Sequence, residues 1–444
     1  MTAPAQYLLP EERHFLARTP ASARCFAEAG RHLPGGDSRS PLFHRPYPVT
    51  LAGGAGARVT DVDGNELLDL TGNHTALVHG YGHPAVLAAV QAQLEAGTCF
   101  PAPTPPQVRM ARLLTDRIRS VELVRFTNSG TEAVMLAARA ARAFTGRPRI
   151  AMAEGAYHGS WDGVMVRTPA GGADPVAASA GLVPHTADAV VSVPFDDPQA
   201  AVRVVEEHHG ELAAVLVEPV QGSAGMIPAA LEYLAALRDV TARHGILLLF
   251  DEVVSFRVAV GGAQQHVAVT PDLTCLGKAV GGGFPLGVFG GRADVMAAFD
   301  PSVTGGPRIP HPGSLNANPM SLAAGAAALD ALDEDAVARI NRLGERLRAR
   351  LREVLAETGV PAQVTGLGSL FGVHFTPEPV TSVRQAARAD PGLRHRFFLG
   401  LFGEGVLVDP RGVGCVSTAV HEEDIDAAAA AARRVLRRWT EEPR

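Results

Sequence analysis

Apolar and polar positions alternate along the chain in a way that divides it into three stretches. Residues 1–70 read as an N-terminal arm of helix and Pro/Gly-rich chain, closing on Asp61-Val-Asp-Gly64 and Leu67-Leu-Asp-Leu70, a turn signature leading into a strand. From about residue 84, short apolar runs at 123–127, 149–153, 213–218, 246–251, 273–276 and 286–290 alternate with helical patterns such as 131–144 and 231–244. Runs that are apolar on both faces and separated by helices predict a mostly parallel sheet covered by helices on both sides. Past Ser321 the chain turns helical and rich in Ala and Arg, offers strand-like 369–375 and 405–408, and finishes in a helix after Glu422. The expected class is therefore α/β. A large domain spans 71–325, and 326–444 forms a small α+β domain together with part of 1–70.

Composition narrows the possible partners. With 46% hydrophobic residues the chain has enough apolar material for a sizeable core, so disorder is not expected. A net charge of -6 and a pI near 6.2 leave no basic surface for nucleic acid. The apolar run at about 245–250, like the others, is far short of the ~20 residues of a membrane span, and residues 1–12 lack a basic and then apolar leader. A cytoplasmic protein without membrane partners is expected. Cys25, Cys99, Cys275 and Cys415 are scattered, with no C-x-x-C pair and no zinc spacing, so reduced, mostly buried thiols and no metal site are expected.

One count is sharper. The chain has 39 arginines and a single lysine, Lys278. Where Arg serves for every ordinary positive charge, the remaining Lys is a candidate for amine chemistry, because only Lys can lose its proton and attack a carbonyl. A surface lysine left by chance is the competing reading.

Three strand ends carry groups that suit one cofactor. Phe126-Thr-Asn-Ser129-Gly130-Thr131-Glu132 runs from a strand into a helix start, where free N–H groups and the Ser129 and Thr131 hydroxyls would hold a phosphate; an ordinary helix cap is the alternative. Asp251, ending an apolar strand, needs a cationic partner, either a protonated ring nitrogen or an arginine. Lys278 follows a third strand and stands among glycines that admit close backbone approach. Tyr157, before His158, would lay its ring on the cofactor or fill the core, and Glu218 is a further strand-end acid.

In that order, Asp61-Val-Asp-Gly64, Gly82-His-Pro84, Asn128-Ser-Gly-Thr-Glu132, Tyr157-His-Gly159, Asp251-Glu-Val253, Pro271-Asp-Leu-Thr274 and Leu276-Gly-Lys278 resemble the class III aminotransferases of pyridoxal 5'-phosphate (PLP) fold type I. The resemblance covers nearly the whole chain. It implies Lys278 as the Schiff-base lysine and proton shuttle, and Asp251 as the partner of the ring nitrogen. Tyr157 then stacks on the ring with His158 and Glu218 nearby, Val253 packs behind it, and Ser129, Gly130 and Thr131 hold the phosphate. It also implies an obligate homodimer in which Gly313-Ser314 takes the place of a Gly-Thr pair that reaches the partner's phosphate.

Within the branch that contains the glutamate-1-semialdehyde aminomutases, Pro34-Gly-Gly-Asp-Ser-Arg39-Ser, Phe289-Gly-Gly-Arg-Ala-Asp-Val-Met296, Thr365-Gly-Leu-Gly-Ser369 and Asp409-Pro-Arg411-Gly look closest to bacterial β-amino acid aminotransferases of the β-phenylalanine type. Asp251-Glu-Val-Val-Ser-Phe-Arg257 is one residue shorter than the aminomutases' Asp-Glu-Val-x-Thr-Gly-Phe-Arg. By this resemblance Arg39 binds the donor carboxylate and Arg411 is a movable arginine for the keto acid; surface cations are the alternative. The expected reaction is ping-pong transfer from a β-amino acid to 2-oxoglutarate or pyruvate. The rivals are an aminomutase, a decarboxylase or epimerase, and a non-catalytic PLP-fold protein.

Overall fold

The computed structural model describes residues 8–168, 174–306 and 308–441. Two compact units emerge, one from Pro84–Ala338 with Thr381–Ala387, the other from Met1–His83, Arg339–Val380 and Arg388–Arg444.

The first unit is built on a seven-stranded sheet among the described residues. Its strands are β1 (Leu123–Thr127), β2 (Arg149–Ala153), β3 (Val190–Val193), β4 (Leu212–Val217), β5 (Leu247–Asp251), β6 (Leu273–Leu276) and β7 (Gly287–Gly291), in the spatial order β1-β7-β6-β5-β4-β2-β3. Neighbours from β6 across to β3 are parallel; β7 alone runs antiparallel to both of its neighbours. Every residue of β4, β5 and β6 is buried, which is why these strands read as unbroken apolar runs.

Helix α1 (Gly130–Thr145) buries Ala133, Ala137, Ala138, Ala140 and Ala141, small side chains that let it lie close on the sheet. It stops at Gly146, whose φ of 71° is the left-handed conformation of a C-terminal cap. Helix α2 (Leu231–His244) ends the same way at Gly245 and presses Leu234, Leu237 and Val240 inward.

The second unit holds an antiparallel run of Leu51–Ala55, Arg58–Asp61 and Glu66–Asp69, extended in parallel by Val406–Leu407, and a three-stranded sheet of Gln363–Thr365, Leu370–His374 and Val413–Cys415. Phe15, Leu70, Leu347, Phe371, Phe402 and Leu436 share its core.

The boundaries differ from those expected at 70/71 and 325/326. Residues 71–83 stay with the second unit because Tyr81 pairs with Gly56 and its hydroxyl donates to Asp69 at 2.8 Å. Helix Pro319–Ala331 stays with the first, where Ala324, Ala327 and Ala328 pack on Val86. The cysteines were expected to be mostly buried; Cys275 and Cys415 are, but Cys25 and Cys99 are exposed, having no apolar run around them. Among the described residues no helix is long and apolar enough to cross a membrane, and no group of three or more His, Cys, Asp or Glu could hold a metal ion.

Candidate active site

Parallel strands β1, β2, β4, β5 and β6 bring their carboxyl ends to one edge of the sheet, the edge where such sheets present their chemistry. Ser129 is the N-cap of α1. Its Oγ accepts from the Glu132 N–H at 3.2 Å, while Glu132 Oε2 accepts from the Asn128 N–H at 2.7 Å. The cap reading is therefore correct for Ser129, and it leaves the helix start, with Thr131, as a cluster of N–H and hydroxyl donors.

Lys278 is half-buried directly after β6. Its φ of 49° puts a side-chain-bearing residue in the left-handed region, a strain of order 1–3 kcal/mol that surrounding contacts must hold in place. Extended Gly277 precedes it, and buried Ala279, Val280 and Gly281 anchor the turn that follows. A Cβ on Gly130 would lie 2.9 Å from a Val253 methyl, and one on Gly277 would lie 3.4 Å from Val253 and 3.5 Å from the Gly130 Cα. The ends of β1, β5 and β6 thus meet at Val253, packed too closely for a side chain at 130.

Asp251 is buried, and its partner is not an arginine: His158 Nδ1 lies 2.8 Å from Asp251 Oδ2. Oδ1 accepts from the Val253 N–H at 3.1 Å. His158 is buried as well, and its Nε2 has no hydrogen-bond partner among the described residues. Gly159 lies against the start of α1, where its Cβ would meet Thr131 Oγ1 at 2.5 Å. Tyr157 is 53% exposed, so it does not fill the core. Its N–H donates to Glu218 Oε1 at 2.9 Å, and the Gly222 N–H donates to Oε2 at 3.0 Å. Burial pushes Glu218 up to about 7, with the charge of Asp251 acting the same way and His158 opposing it. Ser314 is exposed on a loop whose Asn316 Oδ1 accepts from Asn128 Nδ2 at 3.0 Å.

Arg39 and Arg411 belong to the second unit. A cavity of about 500 Å³ there is lined by Arg39, Asn73, His74 and Asp409 together with apolar groups such as Phe26 and Phe398. Arg39 is exposed and donates from Nη1 to Asn73 Oδ1 at 2.8 Å. Arg411 grips buried Asp409 through Nε and Nη2, at 2.9 and 2.8 Å. Burial alone would raise Asp409, but the hydrogen bonds of Arg411 and His74 and the charge of Arg411 hold it well below the usual carboxylate range.

Sequence reasoning missed Asn73, His74 and Asp409 as participants. A signal was present in Gly72-Asn-His-Thr75, where Gly, Asn and His tolerate positive φ. All four residues adopt it, at 51°, 49°, 54° and 73°. Left-handed backbone costs roughly 1–2 kcal/mol per side-chain-bearing residue, so this turn is a strained element beside both arginines.

Comparison with known proteins gives a consistent picture. The sequence profile described as aminotransferase class-III matches residues 42–434. The β-phenylalanine transaminase of Variovorax paradoxus is 41% identical over 427 residues, covering 96% of this chain and 95% of that one. The glutamate-1-semialdehyde 2,1-aminomutase of Methanothermobacter thermautotrophicus is 40% identical over 418 residues, covering 94% and 98%. A solved structure described as a transaminase with PLP bound has a TM-score of 0.89 at 41% identity, covering 94% of this chain and 97% of that one.

Proposed function

The chain belongs to the class III aminotransferases and is a PLP-dependent aminotransferase; we propose that its donor is a β-amino acid with an aromatic side chain and its acceptor a 2-oxo acid such as 2-oxoglutarate or pyruvate. The observation that carries the cofactor chemistry is the meeting of three strand ends at Val253, near Lys278, Asp251 and the start of α1, and the 41% identity to a β-phenylalanine transaminase supports the donor.

The residues fit the cofactor. Ser129, Gly130 and Thr131 would hold its phosphate at the start of a sixteen-residue helix. Asp251 would face its ring nitrogen, oriented by His158, whose buried Nε2 is a further group available to a bound molecule. Tyr157 would cover the ring, with its backbone fixed by Glu218, and Val253 would back it. Ser314 of the partner subunit would complete the phosphate contacts in a cytoplasmic homodimer.

When bound, PLP supplies an aldehyde that exchanges imine partners and a ring that draws electrons from the substrate carbon. Asp251 would keep the ring nitrogen protonated. Lys278 would hold the cofactor through its amine and, once free, would take the proton from the donor's amino-bearing carbon. Arg39 binds the donor carboxylate, and Arg411 answers the second carboxylate of a dicarboxylic acceptor.

The second reading, an aminomutase, draws on the 40% identity to the Methanothermobacter thermautotrophicus enzyme. The test is a screen of α-, β- and ω-amino donors, β-phenylalanine among them, against pyruvate and 2-oxoglutarate. Acceptor consumed in proportion to a β-amino donor supports the proposal. Conversion of glutamate-1-semialdehyde without any acceptor, and no β-amino transfer, would overturn it.

A further inference from the structure

We infer that His74 is a positioning residue for Arg411: it is the stand-in partner that keeps Asp409 satisfied when Arg411 leaves to bind a substrate carboxylate. This rests on the reading of Arg411 given above. Asp409 is 3% exposed, and both of its oxygens are engaged. Oδ1 accepts from the Arg411 backbone N–H at 2.8 Å and from Arg411 Nε at 2.9 Å. Oδ2 accepts from Arg411 Nη2 at 2.8 Å and lies 2.9 Å from His74 Nδ1. That same Nδ1 is 3.1 Å from Arg411 Nη2.

One ring nitrogen cannot serve both neighbours at once. A bare Nδ1 accepts from Arg411 and holds its guanidinium between two acceptors. A protonated Nδ1 donates to Asp409 and stops holding Arg411. Moving the ring proton from Nε2 to Nδ1 therefore transfers His74 from the arginine to the carboxylate. Without that exchange, departure of Arg411 would strip a buried carboxylate of its charged partner, the kind of loss that makes a buried pair resist separation.

The backbone supports a dedicated role. His74 sits in the left-handed turn Gly72–Thr75, and the residue before it, Asn73, accepts from Arg39. One strained turn thus touches both arginines. A dicarboxylate needs Arg411 released from Asp409, whereas a monocarboxylate does not. His74 consequently sets how well the enzyme distinguishes the two.

The test uses the PLP-loaded enzyme and two unreactive probes, glutarate and its monocarboxylate counterpart butyrate, with dissociation constants read by calorimetry. In His74→Ala the preference for glutarate over butyrate should fall about tenfold, the equivalent of one lost charge-assisted hydrogen bond. His74→Asn tolerates the left-handed turn and keeps an amide donor for Asp409, so its preference should stay within about threefold of the parent. A merely structural histidine would weaken both probes alike; an unchanged preference in His74→Ala overturns the inference.

Arg411→Gln separates the two levels. If it abolishes the preference and His74→Ala does not, the His74 role alone falls. If it leaves the preference intact, the assignment of Arg411 falls and the inference with it. Should His74→Ala fail to fold, Asp409→Asn decides. With no buried charge needing a partner, its preference for glutarate should rise, and a fall or no change overturns the inference.

Discussion

Gly130→Ala probes the junction on which the active-site reading depends. The added Cβ would lie 2.9 Å from Val253 Cγ2 and 3.3 Å from Cγ1, well inside the ~3.5–4.0 Å of ordinary carbon contact. Val253 has little room to yield. Its branched side chain is stiff about χ1, and its N–H is bonded to Asp251. Overpacking of this kind costs about 1–3 kcal/mol, and replacing a helical glycine returns about 0.5–1 kcal/mol, so a net loss of about 1–2 kcal/mol is expected. Because Val253 stands two residues after Asp251, the displacement should also raise the PLP dissociation constant about tenfold, equal to about 1.4 kcal/mol. Val253→Ala removes both methyls. The double variant should therefore be at least about 1 kcal/mol more stable than the two single losses predict. Thermal unfolding midpoints of the four proteins, and PLP titrations of their apo forms, measure both effects. Strictly additive losses, or a Gly130→Ala protein as stable as its parent, would refute the close approach.

Three further outcomes are expected. Borohydride treatment of the PLP-loaded enzyme should fix one phosphopyridoxyl group per chain, on the peptide containing Lys278, and Lys278→Ala should lose both the label and turnover; a labelled or active variant sinks the assignment. Asp251→Asn should keep the fold, because the amide still reaches His158 and Val253, but should lower kcat by about 10²-fold or more, some 3 kcal/mol of lost charge stabilisation; steady-state kinetics at saturating PLP decide. Glu252, fully buried, is pushed by burial from 4.5 up to about 7, against hydrogen bonds from Gln264, Ala263 and Ser255. Its protonated form favours the folded state, so this stability is complete below about pH 4.5 and is lost as pH rises through about 7, up to about 3 kcal/mol in all. Unfolding midpoints between pH 5 and 8 should fall less in Glu252→Gln than in the parent, and parallel curves would contradict the shift.

The sheet was legible because a strand buried on both faces leaves a run of apolar residues and little else. The stretches 123–127, 149–153 and 273–276 correspond to β1, β2 and β6 residue for residue, and those for β4, β5 and β7 begin or end one position away. β3 is only four residues long and is broken by Ser192, too short an apolar run to stand out even before the Pro/Asp turn at 194–198. The reversed direction of β7 was readable in principle. Only Gly277–Leu286 joins it to β6, too short for a parallel crossover of a dozen or more residues. The residues at strand ends were legible because a strand and its terminus are neighbours in sequence. The His158–Asp251 pair, the Tyr157–Glu218 bond and the Arg411–Asp409–His74 group were not fully so. They join residues brought together only by the fold, and no local pattern records such pairings.

The distribution of cations binds the chemistry to the composition. Fixed charges fall to arginine throughout: Arg411 on Asp409, Arg384 on Glu154, and Arg292 shared between Asp272 and Asp294. Each pairing uses the rigid fork of a guanidinium that never loses its proton. Arginine could replace lysine in such positions without loss, and a chain with 39 arginines has done so wherever a permanent charge is enough. Position 278 lies outside that exchange. On the proposed reading its residue would be a base in one step and a nucleophile in another, and a guanidinium can be neither at ordinary pH. The strained φ of Lys278, set between Gly277 and a buried turn, is in keeping with that reading.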